Sequence, residues 1–104
     1  MLFRSAIDSR EIPIPPGALE DPDSRELVRA WVANNSLHCS LNFGNWGNDE
    51  AVGWGVLLSD IARHVADALF EEHGIDRKET IERMREVFND ELDEPTAPTT
   101  GHVM

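Results

Sequence analysis

Apolar positions recur with a helical period along the middle of the chain. They fall at steps of three and four residues, which predicts a helix over about 49–73. Asp49 stands where its N-cap would lie, and Gly74 suits the position just beyond its end. The predicted core face consists of Trp54, Leu57, Leu58, Ile61, Val65, Ala68 and Leu69. An apolar arc this wide predicts a central element of the core.

Two other stretches show the same period. Asp76 and Glu79 form a capping pair for a helix over about 77–92. Its apolar face would carry Ile81, Met84, Val87, Phe88 and Leu92. A further helix is predicted over about 22–34, because Asp21-Pro22 is a favourable helix start and Leu27, Ala30 and Trp31 share one helical face.

The period changes to two over residues 36–43. Four apolar side chains alternate there with Ser, His, Ser and Asn, which is typical of a half-buried strand. The alternation places Cys39 on the core face with Leu37 and Leu41. It places His38 on the opposite face.

The remaining segments set the predicted domain limits. Residues 12–22 contain four prolines and are expected to be an extended strap that packs Ile12, Ile14 and Leu19 on the body. We predict one small α+β domain over 12–92, a loosely ordered segment over 1–11 and a disordered tail over 93–104. The predicted fold has three helices and a small antiparallel sheet that contains the strand at about 36–43.

Composition excludes several functional classes. The chain has 20 acidic and 9 basic residues in 104, a formal net charge of −11, so a nucleic-acid partner is not expected. No run of 18 apolar residues and no signal-peptide pattern occurs, which predicts no membrane association. A single cysteine excludes an internal disulfide. A small acidic cytoplasmic protein is expected.

A homodimer is the predicted assembly. About 80 ordered residues build only a small core, and a lone strand leaves backbone groups unpaired. Pairing of the 36–43 strand across a twofold axis would extend the sheet and enlarge the core. Which segment of the chain itself pairs with this strand is left open.

The order of three segments resembles a known family. The segments "IPIPPGALEDPD", "RAWVANNSLHCSLN" and "GWGVLLSDIARHVADAL" are similar to the bacterial domain of unknown function family 5076, over roughly residues 12–92. The resemblance implies no established activity and no catalytic residues.

One cluster of side chains could carry chemistry. Asp60, His64 and Asp67 are spaced by four and three residues, so they share one stripe of the long helix. With His38 from the strand they are a candidate ligand or metal cluster. A solvated stripe of ion pairs is the favoured interpretation, because one helix alone completes no site. No catalytic residue, resident metal or cofactor is predicted.

The segment 36–49 holds one more candidate functional residue. Trp46 stands among turn residues, so it is either a lid on the core or a contact surface for a partner. We therefore predict a non-enzymatic interaction or regulatory module with an unknown protein partner. The alternative is a small enzyme or ligand-binding protein with a site around His38, Trp46, Asp60 and His64.

Overall fold

The computed structural model describes residues 10–97 and 99–103. The order of elements is α1 (Pro16–Glu20), β1 (Val28–Ala33), β2 (Ser36–Leu41), α2 (Glu50–His73), α3 (Arg77–Asp93) and β3 (Thr99–Val103). The predicted α+β class is confirmed, with three helices and an antiparallel strand pair in the described part of the chain. Most of the segment 1–11, namely residues 1–9, lies outside the described residues.

The predicted helix over 22–34 is wrong, because this stretch contains β1. Asn34 and Asn35 have φ of 52° and 61°, and Ala33 pairs directly with Ser36. Positive φ at both central residues of a two-residue loop is the geometry of a type I′ hairpin turn, which asparagine tolerates well. The turn therefore pairs residues 28–33 with β2 as a strand.

The sheet has three strands in the order β1-β2-β3 among the described residues. β1 is antiparallel to β2, and β3 is parallel to it, with Cys39 opposite Gly101. The expected disordered tail over 93–104 is therefore corrected at residues 99–103. Side-chain bulk was the wrong criterion, since the second edge of β2 supplies backbone hydrogen-bonding groups whatever the side chains are.

This topology also corrects the expected route to a dimer. β2 has a neighbouring strand on each side, so the 36–41 strand has no open edge to offer a second copy. A dimer of this chain has to use another surface.

The proline-containing segment does not pack as expected. Pro15 precedes α1 and Pro16 is its first residue, a position where proline is well tolerated. Ile12, Ile14 and Leu19, predicted to be buried, are all exposed. The alternation of apolar residues predicted a buried face, but it could not show whether another part of the chain lies against that face.

The two long helices match their predicted ends. Gly74 adopts φ 69°, and its amide donates to the Phe70 carbonyl at 2.9 Å, which ends α2. The Asp76 carboxylate accepts a hydrogen bond from the Glu79 N–H at 2.9 Å, which caps α3. Both boundaries follow from local capping chemistry.

The core within one chain is small. In the described residues, Ala66 of α2 and Thr80 of α3 are buried where the two helices meet. No Cα atom of the strands lies within 8 Å of a Cα atom of the three helices. Ile61, predicted at the centre of the core face, is 41% exposed. The period of α2 identified its apolar face but not what covers that face.

Candidate functional site

The loop 42–49 packs an aromatic cluster against the start of α2. The ring of Trp46 meets that of Trp54 edge to face, with 5.4 Å between ring centroids. Phe43 contacts the Trp54 ring in the same way at 5.7 Å. Such edge-to-face pairs are favourable beyond the area they bury.

Gly53 makes room for this cluster. A Cβ atom added to Gly53 would lie 2.1 Å from Cδ2 of Trp46, so the indole ring occupies the space of a side chain. Of the two alternatives for Trp46, a lid or a partner contact, the structure has it packed as a lid on its own helix. A glycine one turn into a helix was the sequence signal for this close approach.

Glu50 anchors the loop. Its carboxylate accepts hydrogen bonds from the backbone N–H of Gly44 at 3.1 Å and of Trp46 at 3.0 Å. These two donors lower the pKa of the Glu50 carboxyl below its ordinary value of 4.5. The Trp54 indole N–H also faces the carboxylate and lowers its pKa. That N–H lacks normal hydrogen-bond geometry and has no other partner among the described residues.

We predict that Glu50→Gln lowers the melting temperature at neutral pH. The folded pKa lies below the unfolded one, so the ionised group stabilises the fold above about pH 4.5 and the effect fades as the pH falls through the folded pKa. Thermal melts from pH 7 to pH 3 should show the two proteins converging in acid. Glu71→Gln, at an exposed position on the same helix, is the control and should stay close to wild type. A constant gap between wild type and Glu50→Gln at every pH would contradict this role.

The predicted ligand residues of α2 are engaged in ion pairs. Asp60 pairs with Arg63 one turn later, and the carboxylate of Asp67 accepts a hydrogen bond from Nε of Arg77 at 2.8 Å. The second pair joins α2 to α3. His64 lies between them on the exposed side of α2.

The fourth predicted ligand lies elsewhere. His38 is on β2, where its Nε2 is 3.3 Å from Oγ of Ser36. Within residues 10–97 and 99–103, no three His, Cys, Asp or Glu side chains are grouped in a way that could hold a metal ion. The structure brings Asp60 and His64 onto one helix, as their spacing indicated, but it does not bring His38 to them as a metal site.

A groove between α2 and α3 was not predicted. It has a volume of about 550 Å³ and is lined by Arg63, Ala66, Asp67, Arg77, Lys78, Ile81, Glu82 and Arg85. The guanidinium of Arg77 also stacks on Phe70, 4.0 Å from the ring centroid. The sequence signal was the crowding of basic residues into 63–85 of an otherwise acidic chain.

Cys39 is a free thiol on the apolar face of the sheet. It is half-buried, and it shares that face with Leu37 and Leu41 as predicted. Its cross-strand neighbour is Ala30.

Comparison with known proteins identifies relatives of the chain. The family model described as Domain of unknown function (DUF5076) matches residues 11–96. A solved structure from the photosynthetic bacterium Rhodopseudomonas palustrus CGA009, provisionally described as a pyruvate dehydrogenase, is 33% identical. The match covers 88% of this chain and 91% of that one, with a TM-score of 0.63. No match of comparable significance occurs among the curated proteins compared.

Proposed function

The chain belongs to the domain of unknown function family 5076, and from its uncovered apolar faces we propose that it is a non-enzymatic interaction or regulatory module. The observation that carries the proposal is the exposure of large apolar side chains on regular elements. Val32 on the sheet is 81% exposed and Phe88 on α3 is 51% exposed. Apolar side chains exposed on regular elements are typical of a protein-binding face where they adjoin one another.

The end of α3 provides the best-defined partner surface. Val87, Phe88 and Leu92 are all exposed and lie on one side of this helix. The same side packs on α2 in the first half of α3, where Thr80 is buried. The apolar face therefore continues beyond the contact within the chain, and a partner protein would cover it.

The competing proposal is a small enzyme or ligand-binding protein with a site around His38, Trp46, Asp60 and His64. The pyruvate dehydrogenase description of the solved relative points in that direction. The geometry favours the interaction module, because Trp46 packs as a lid and Asp60 is paired with Arg63. The groove between α2 and α3 is lined by none of these four side chains.

The cellular setting is also part of the proposal. We place the protein in a bacterial cytoplasm, as the bacterial source of the solved relative and the single cysteine suggest. Among the described residues, no helix has both the length and the apolarity needed to cross a bilayer. With a net charge of −11, nucleic acid and anionic membrane surfaces are not proposed as partners.

We predict that Phe88→Glu abolishes partner binding. A charge at the centre of an apolar contact must lose its hydration without a compensating partner, which opposes complex formation. Asn89→Glu adds the same charge at the next, exposed position and is the matched control. The test is quantitative mass spectrometry of host proteins retained by the three immobilised chains.

We expect the immobilised wild type and Asn89→Glu to retain the same host proteins. Phe88→Glu should not retain them. Equal retention by all three chains would contradict an interaction through α3. Pyruvate turnover by the purified protein that disappears in His64→Ala would favour the enzyme instead.

A further inference from the structure

An uncharged segment lies near the start of α2. Residues 51–59 contain no charged side chain in a chain of which 28% is charged. Val52 and Val56 are 64% and 55% exposed, and Leu58 is exposed on a different side of the same helix. One chain alone does not bury these side chains.

An exposed stripe continues along α2. Leu58, Ile61 and Val65 are all exposed and follow one another at steps of three and four residues. Ala68 extends the stripe at the same spacing, and at its other end stands Trp54, which Trp46 and Phe43 contact within the chain. This is the seam by which two helices pack side by side.

We propose that the occupant of this stripe is α2 of a second copy of the chain. The stripe is nearly symmetric about Ile61, since apolar residues stand three and seven positions before it and four and seven positions after it. Two such stripes match when the helices run antiparallel, with Ile61 next to the twofold axis. A twofold interface uses one self-complementary surface in both subunits.

The exposed area agrees with a second copy. Leu58, Ile61 and Val65 are 47%, 41% and 36% exposed in a single chain. A stable dimer buries a continuous surface of about 800 Å² or more per subunit, and it needs a row of uncovered apolar side chains such as this one at its centre.

The charge pattern agrees as well. The centre of a protein interface is depleted of charged residues, and the stripe itself carries only apolar side chains at Leu58, Ile61 and Val65.

Site-specific cross-linking tests this dimer. In a Cys39→Ser background, which removes the chain's only cysteine, Ile61→Cys places a thiol next to the proposed axis. Ser59→Cys places one on the opposite side of α2 and is the matched control, because both positions are exposed. A short bifunctional maleimide is added to each purified full-length chain, and covalent dimers are measured on a denaturing gel. Circular dichroism verifies that each variant retains its helices.

The inference rests on the proposed function, but the two can fail separately. Ile61→Cys should convert mostly to covalent dimer and Ser59→Cys hardly at all. Failure of Ile61→Cys to cross-link while folded, or equal cross-linking of both variants, would overturn the antiparallel α2 pair. Binding of host proteins that depends on Phe88 would survive that result, and the occupant of α2 would then be a different protein.

Discussion

Gly53→Ala should destabilise the protein by about 2 kcal/mol or more, since displacing a packed tryptophan costs about 3–5 kcal/mol and alanine recovers only about 1 kcal/mol of helix propensity. The added Cβ would lie 2.1 Å from Cδ2 and 2.3 Å from Cγ of Trp46. These atoms belong to a rigid ring, so Trp46 has to leave its place. Chemical denaturation followed by tryptophan fluorescence would show both the lost stability and the altered ring environment.

Gly55→Ala is the control. Gly55 lies in the same part of α2, but a Cβ added there meets nothing within 4 Å. This substitution should stabilise the helix by up to about 1 kcal/mol. If both variants were stabilised alike, Trp46 would not be packed on Gly53, and a partner contact would become its better interpretation.

Ile61→Ala should cost about 2–5 kcal/mol in free energy of unfolding, because the proposed dimer would bury a side chain that one chain leaves 41% exposed. The truncation would remove one side chain from each subunit and leave a cavity in the α2–α2 contact. Denaturant unfolding at low and high protein concentration would show a wild-type midpoint that rises with concentration.

His64→Ala is the comparison for this effect. His64 is exposed on α2, outside the stripe, and its removal should cost less than about 1 kcal/mol. A cost for Ile61→Ala as small as this, with no concentration dependence, would mean that Ile61 stays in solvent.

The elements with strong local signals were predictable from sequence. α2 and α3 have a sustained helical period, and their ends are set by Gly74 and by the Asp76 cap. β2 shows a strict alternation that no helical pattern imitates. In each case neighbouring residues determine the structure, so no knowledge of distant contacts was needed.

β1 and β3 depend on contacts with other parts of the chain. In β1 a weak helical period competed with strand propensity, and the Asn34-Asn35 turn decided the outcome by folding β1 against β2. β3 forms through backbone pairing with β2, where Gly101 comes so close to Cys39 that an added Cβ would lie 2.2 Å from its carbonyl oxygen. Backbone pairing leaves little trace in hydrophobic periodicity.

One part of the candidate site was predictable from the sequence, and another part was not. The shared helix stripe of Asp60, His64 and Asp67 followed from spacing alone. The separate position of His38 depends on how sheet and helices are arranged, which spacing cannot show. The anchoring of the 42–49 loop by Glu50 was missed, because any acidic residue in a first helical turn gives the same sequence signal.

Sedimentation equilibrium of the purified full-length chain, over a range of micromolar concentrations, tests the central claim most directly. If the stripe of α2 pairs with a second copy, as proposed, the mass should be about twice 11.7 kDa and should fall towards one chain on dilution or in an Ile61→Glu variant. A mass of 11.7 kDa for the wild type at every concentration, from a protein that remains folded, would contradict the dimer.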